Sequence, residues 1–169
     1  EAKAYLKMRR AMEGEDQTED AAPVDEDDGD ETTISHERYI ELGAHEEFIL
    51  TVAENGIGKR TSAYEYRPIG RGNKGYKAMS VAGNSRSGAT TIVAAFPVEE
   101  GDQVMLVTDA GQSIRCGVSD VSVRSRSAGG VWMLRTADEE RVVSVARLAE
   151  QGDDEEEGQA PEAEGETPE

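Results

Sequence analysis

The rhythm of apolar positions changes twice along the chain. Residues 1–12 (Glu-Ala-Lys-Ala-Tyr-Leu-Lys-Met-Arg-Arg-Ala-Met) are strong helix formers with a loose apolar stripe of Tyr5, Leu6, Met8 and Met12, which predicts a short helix. Twelve residues make a marginal helix in isolation, so this one needs a surface to lean on. Residues 13–34 are rich in Glu and Asp, contain Pro23 and offer almost no large apolar side chain. They bury too little to offset chain entropy and are expected to be disordered. From Phe48 onward short β segments take over. Phe48–Val52 runs into Glu54-Asn55-Gly56, a hairpin signal, and Ile57–Thr61 is the return strand. Gly75–Val81, Ile92–Val98 and Gln103–Thr108 follow, then a second turn at Asp109-Ala110-Gly111, then Gln112–Cys116, Gly130–Thr136 and Val142–Leu148. No helical period survives in 48–150, so the fold class is all-β with short strands and glycine-rich turns.

The β region repeats itself. A shift of 55 residues lays 48–81 on 103–136 without a gap: Gly56 on Gly111, Arg60 on Arg115, Arg71 on Arg126, Gly75 on Gly130, Glu65 on Asp120. Ile92–Val98 echoes Val142–Leu148 at a shift of 50. The matches fall on turn glycines, bases and strand apolars, in register. A period of this size means propeller-like blades or solenoid units, and at least ~3 are usually needed to bury their faces. About two are present, which predicts the end of a longer array. The chain also opens on Glu1 inside a helical pattern, without an initiator Met, and is expected to be a piece of something longer.

Charge sharpens the division. The formal net charge of −18 alone argues against a nucleic-acid partner. It is segregated, however: residues 1–47 hold sixteen acids and five bases (−11), residues 48–150 eleven acids and thirteen bases (+2), and residues 151–169 nine acids and no base (−9). Such asymmetry carries more than the total. The single cysteine, Cys116, allows no disulfide framework and fits a reducing, cytoplasmic setting. No apolar run of 18 residues exists, so no membrane partner is expected.

The candidate chemistry lies in a basic band: Lys59, Arg60, Arg67, Arg71, Lys74 and Lys77 in the first repeat, with only Glu65 against them, and Arg115, Arg124, Arg126 and Arg135 in the second. Glycine-rich loops let backbone N–H groups approach a phosphate while Arg and Lys supply charge. A row of such loops forms a positive track that bends duplex DNA with no base readout. The expected phosphate contacts are Lys59, Arg60, Arg67, Arg71, Lys74, Lys77, Arg115, Arg124 and Arg126.

These segments resemble a known family. Phe-Ile-Leu-Thr-Val-Ala-Glu-Asn-Gly-Ile-Gly-Lys-Arg-Thr-Ser-Ala-Tyr-Glu-Tyr (48–66) and Gly-Arg-Gly-Asn-Lys-Gly (70–75) resemble a blade of the C-terminal domain of the DNA gyrase A subunit. Asp102–Gly111, Gly130–Leu148 and the closing Thr136–Val145 resemble its last blade, and an acidic tail fits too. The resemblance implies a β-pinwheel that wraps DNA around its rim, in a heterotetramer with gyrase B and a second A subunit that introduces negative supercoils. ATP and Mg would sit on the gyrase B partner, and no cofactor is implied in this chain. Gly70–Gly75 looks like a degenerate form of the family's basic box. The full box, with consecutive arginines and a leading glutamine, is absent, as is the catalytic tyrosine's motif, so no catalytic residue is assigned. The resulting division is 1–35, a short helix then an acidic disordered insertion; 36–150, the last two blades; and 151–169, an acidic disordered tail. The tail's nine acids, tethered near the basic rim, would compete with DNA.

Other motifs are weaker. Gly70-Arg71-Gly72-Asn73-Lys74-Gly75 spells the dinucleotide fingerprint, yet a strand-like stretch follows where a helix is required. For a calcium loop, Gly29 at the sixth position would put Val24 first and Ser35 twelfth, neither a fit. His36 and His45 have no Cys or third His near them, so no metal site is expected. Arg115 would lower the Cys116 pKa, although small-residue packing is the simpler role, and Trp132 is expected to be buried between blades. The rivals are the A-type subunit of topoisomerase IV and a propeller-like protein-interaction module with no DNA role.

Overall fold

The computed structural model describes residues 1–13, 34–80, 91–137 and 139–149. The acidic stretches, with the disorder and tail competition expected of them, fall largely outside the described residues.

Helix α1 spans Ala2–Glu13 and α2 spans His36–Ala44. The second helix was not expected from the pattern of apolar positions. Its start is signalled by a capping serine: the Ser35 Oγ accepts from the Arg38 N–H at 3.2 Å, with Glu37 in the first turn. Among the described residues seven strands follow: β1 Phe48–Ala53, β2 Ile57–Ser62, β3 Ile92–Val98, β4 Gln103–Thr108, β5 Ser113–Gly117, β6 Val131–Trp132 and β7 Val142–Leu148. They form two antiparallel sheets, ordered β3-β1-β2-β6 and β5-β4-β7.

The 55-residue shift holds in the pairing itself. Phe48 faces Ser62 and Leu50 faces Arg60; Gln103 faces Gly117 and Met105 faces Arg115. Both outer pairings are irregular at the same place, between Val52 and Ala53 and between Val107 and Thr108. A 3-10 turn follows each hairpin, at Ala63–Glu65 and Val118–Asp120. The hairpins turn on Gly56 and Gly111, at φ 80° and 84°, where a side chain is disfavoured.

The apolar core joins the sheets: Leu50, Val52 and Val98 from the first, Val104, Leu106 and Val142 from the second, with Val118 and Val121 between. Burial alternates along β4 in the period of a half-covered strand. Strand β2 differs, because every residue in it is buried. The second repeat covers it. Strand β6 pairs with it through Ile57 and Gly58, and Arg60 bridges Val123 in parallel.

Two expected strands are corrected. Gly75–Val81 has no strand within its described part, residues 75–80; Gly75 takes φ 80°, which breaks an extended run. Gly130–Thr136 shortens to Val131–Trp132, after which the Met133 and Leu134 N–H groups both donate to the Gly56 carbonyl in the turn. Among the described residues, no helix is long and apolar enough to cross a membrane.

Candidate nucleic-acid interface

Strand β2 sorts the bases. Lys59 is fully buried, and its Nζ donates to the carbonyls of Ser125 and Arg126, each at 2.6 Å. Arg60 is nearly as buried. Its Nε donates to the Val121 carbonyl at 2.6 Å, its Nη1 pairs with the Glu100 carboxylate at 2.5 Å, and its guanidinium lies 5.8 Å from the Phe48 ring centre. Thr61 Oγ1 donates to the Arg124 carbonyl at 3.0 Å. The backbone adds Arg60 N–H to the Ser122 carbonyl and Arg124 N–H to the Arg60 carbonyl, at 3.1 and 2.8 Å. The expectation that Lys59 and Arg60 touch phosphate is therefore corrected. Covered by the second repeat, they act as internal struts that strap residues 119–126 down. Buried carbonyls need donors, and these two side chains supply them.

Burial pushes the Lys59 amine down to about 8 from its ordinary value of 10.5. Glu65 works against that shift, while Arg126 and Lys77 add to it. Burial, then Asp120, pushes the Cys116 thiol up, which goes against activation by Arg115 and with the simpler packing role.

The remaining bases are on the surface. Arg67, Arg71, Lys74 and Lys77 are exposed along one loop. That loop bends at Gly72 and Gly75, both at positive φ, and the Asn73 Nδ2 donates to the Gly70 carbonyl at 3.0 Å. Neither helix nor strand is formed over residues 76–80, directly after Gly75, so the dinucleotide reading lacks its structural setting. Arg124 is exposed on the strapped segment, and Arg126 is half-buried. Arg126 joins the two segments: its Nη1 donates to the Lys77 carbonyl at 2.6 Å, and its guanidinium lies 5.1 Å from the Tyr76 ring centre. The Ser80 N–H donates to the Ala128 carbonyl at 3.2 Å further along. Two basic stretches from different repeats thus lie side by side. Neither 66–80 nor 121–137 contains an acid.

Arg115 stands apart on β5, where its Nε bonds the Gln103 side chain. It is the repeat mate of Arg60, yet it is exposed. Trp132, expected between blades, is 47% exposed. Glu65 was missed as a site residue: its Oε2 accepts from the Arg126 N–H at 2.5 Å. The signal was present, since it is the only acid between residues 59 and 77.

A family model described as DNA gyrase C-terminal domain, beta-propeller, matches residues 47–86 and 102–149. The DNA gyrase A subunit of Granulibacter bethesdensis is 42% identical over 158 residues, 89% of this chain and 16% of that protein. The DNA gyrase A subunit of Rickettsia bellii is 43% identical over 124 residues, 73% of this chain and 13% of that protein. The chain thus spans only 13 to 16% of the length of these relatives. Among solved structures, a DNA gyrase A C-terminal domain superposes with a TM-score of 0.55 at 27% identity, over 62% of this chain and 34% of that one. The C-terminal domain of DNA topoisomerase IV gives 0.54 at 20% identity, over 60% and 31%, a likeness of fold alone.

Proposed function

The chain belongs to the DNA gyrase C-terminal domain family of β-propellers, and from that premise we propose that it grips the phosphate backbone of duplex DNA. The contacts are Arg67, Arg71, Lys74, Lys77, Arg124 and Arg126, with Arg115 as a separate charge on the second sheet. The observation that carries this reading is the union of two acid-free basic loops through Arg126, Tyr76 and Lys77. Such a surface offers charge and flexible donors to phosphate, with no strand or helix shaped to enter a groove and read base edges among the described residues of these loops. Its preference among sequences would come through bendability.

In the whole protein this chain serves as the DNA-wrapping end of a gyrase A subunit in the cytoplasm. The assembly pairs two gyrase A with two gyrase B chains and introduces negative supercoils, with ATP and Mg on gyrase B. The residues described here hold and bend DNA; strand cleavage belongs to residues outside this chain.

The test is binding of the 169-residue chain to two unrelated duplexes across a salt series. Each neutralised phosphate adds about 0.9 to the log-log slope, so six contacts give a slope of about −5 for both duplexes. R71A/K74A should reduce it by about 2. Binding that is indifferent to salt overturns the proposal and favours a protein-interaction module.

A further inference from the structure

Helix α1 lies outside the residues matched by the family model, yet it is docked against the DNA-facing unit. Tyr5 and Leu6 are buried. The Tyr5 ring meets Tyr39 of α2 at 5.0 Å and Tyr64 edge-on at 5.4 Å, and its hydroxyl donates to Glu46 Oε2 at 2.8 Å. Arg9 pairs with the same Glu46. The Tyr64 hydroxyl donates to the Leu42 carbonyl at 2.9 Å. Tyr64 and Glu65 are neighbours in one 3-10 turn that continues directly from β2. One side of that turn therefore carries the helices, and the other carries the basic loop, through Glu65 Oε2 and the Arg126 N–H. Arg10 of α1 also reaches Glu65 Oε1, at 3.4 Å.

We propose that α1 is a brace for the DNA grip, and that Glu65 is the positioning residue through which it acts. An acid among bases is a liability for binding DNA, since it repels the phosphates the bases attract. Glu65 offsets that by fixing the peptide N–H of Arg126, and so the segment that carries Arg124 and Arg126. Its repeat mate Asp120 follows β5, over which the described residues place no such basic loop. The inference rests on the DNA-backbone reading above and adds to it a part for a helix beyond the matched blades.

Electrostatics alone and positioning predict opposite signs. Removing a negative charge beside the grip tightens binding if Glu65 is only a charge. If it positions the loop, E65A weakens binding several-fold, and the salt slope falls by about 1 to 2 as Arg124 and Arg126 lose register. E65Q keeps an oxygen for the Arg126 N–H and restores the slope. Y5A, which undocks α1 and removes no base from the grip, reproduces the E65A slope, and the double variant is no worse than either alone. Circular dichroism of each 169-residue variant reports whether the sheets survive; if E65A unfolds, Y5A carries the test. Tighter binding by E65A, or an unchanged slope in folded Y5A, overturns the brace while leaving the DNA reading intact. A wild-type chain with no salt-dependent binding overturns both.

Discussion

Residues of one type do different work here, and Lys59 shows it. As a sequence position it reads as one more base in a row. Its burial depends on residues 119–132 folding back over β2, and nothing local announces that. The pairing of Arg60 with Arg115 makes the same point, because identical repeat positions end as a strut and as an exposed side chain. Lys59 also has a thermodynamic signature. Its folded pKa of about 8 is below the ordinary 10.5. Between those values the unfolded chain binds a proton that the native chain does not, so stability should rise as pH increases from about 8. Tyr5, whose hydroxyl is pushed up by burial, acts in the opposite sense above about 10, and Cys116, whose thiol is pushed up by burial, does so above about 9. Urea midpoints measured from about pH 7.5 to 9 should therefore climb in the native sequence, and the climb should vanish in K59M. Cys116, with its thiol pushed up, should react with iodoacetamide more slowly than a free cysteine at about pH 8.

At the scale of elements, the hairpins were the most legible part. Alternating apolar positions fixed which residues face inward, and a glycine at each turn fixed the register, so β1, β2, β3, β4 and β7 lie within a residue or so of expectation. The turn glycines nonetheless differ in their surroundings. A methyl group on Gly56 would meet the Leu134 carbonyl oxygen at 2.0 Å, whereas Gly111 has nothing within 4 Å. G111A should cost only the positive-φ penalty, about 1 to 2 kcal/mol. G56A adds the displacement of the β6 region and should cost at least about 2 kcal/mol more. Chemical denaturation of the two variants compares them directly. What the sequence concealed was pairing between distant segments. The stretch after Gly75 carries strand-like residues but forms no strand within residues 75–80, while the two-residue β6 pairs with β2, a strand far away along the chain. Composition reports what a segment tolerates, and only the fold decides what lies beside it.

For the whole molecule, the second repeat is folded over the first rather than strung beside it. The second repeat supplies a strand to the first sheet, and both contribute to a single core. They should therefore unfold as one unit. The only tryptophan, Trp132, sits on the strand that the second repeat lends to the first sheet. Its fluorescence and the far-ultraviolet circular dichroism should trace coincident urea transitions; separated midpoints would mean independent blades.

That enclosure sets an order in time. During synthesis the chain emerges from its N-terminus, so β2 leaves the ribosome well before the segment that covers it. At ~5–20 residues per second, the ~70 residues from the end of β2 to Trp132 take roughly 4–14 s to appear. Through that interval the strand is a nascent edge with both faces open, and the polar Gly58-Lys59-Arg60-Thr61-Ser62 keeps it from pairing with a neighbour on the same message. The lysine that is costly to bury in the finished protein is, for those seconds, what guards the strand.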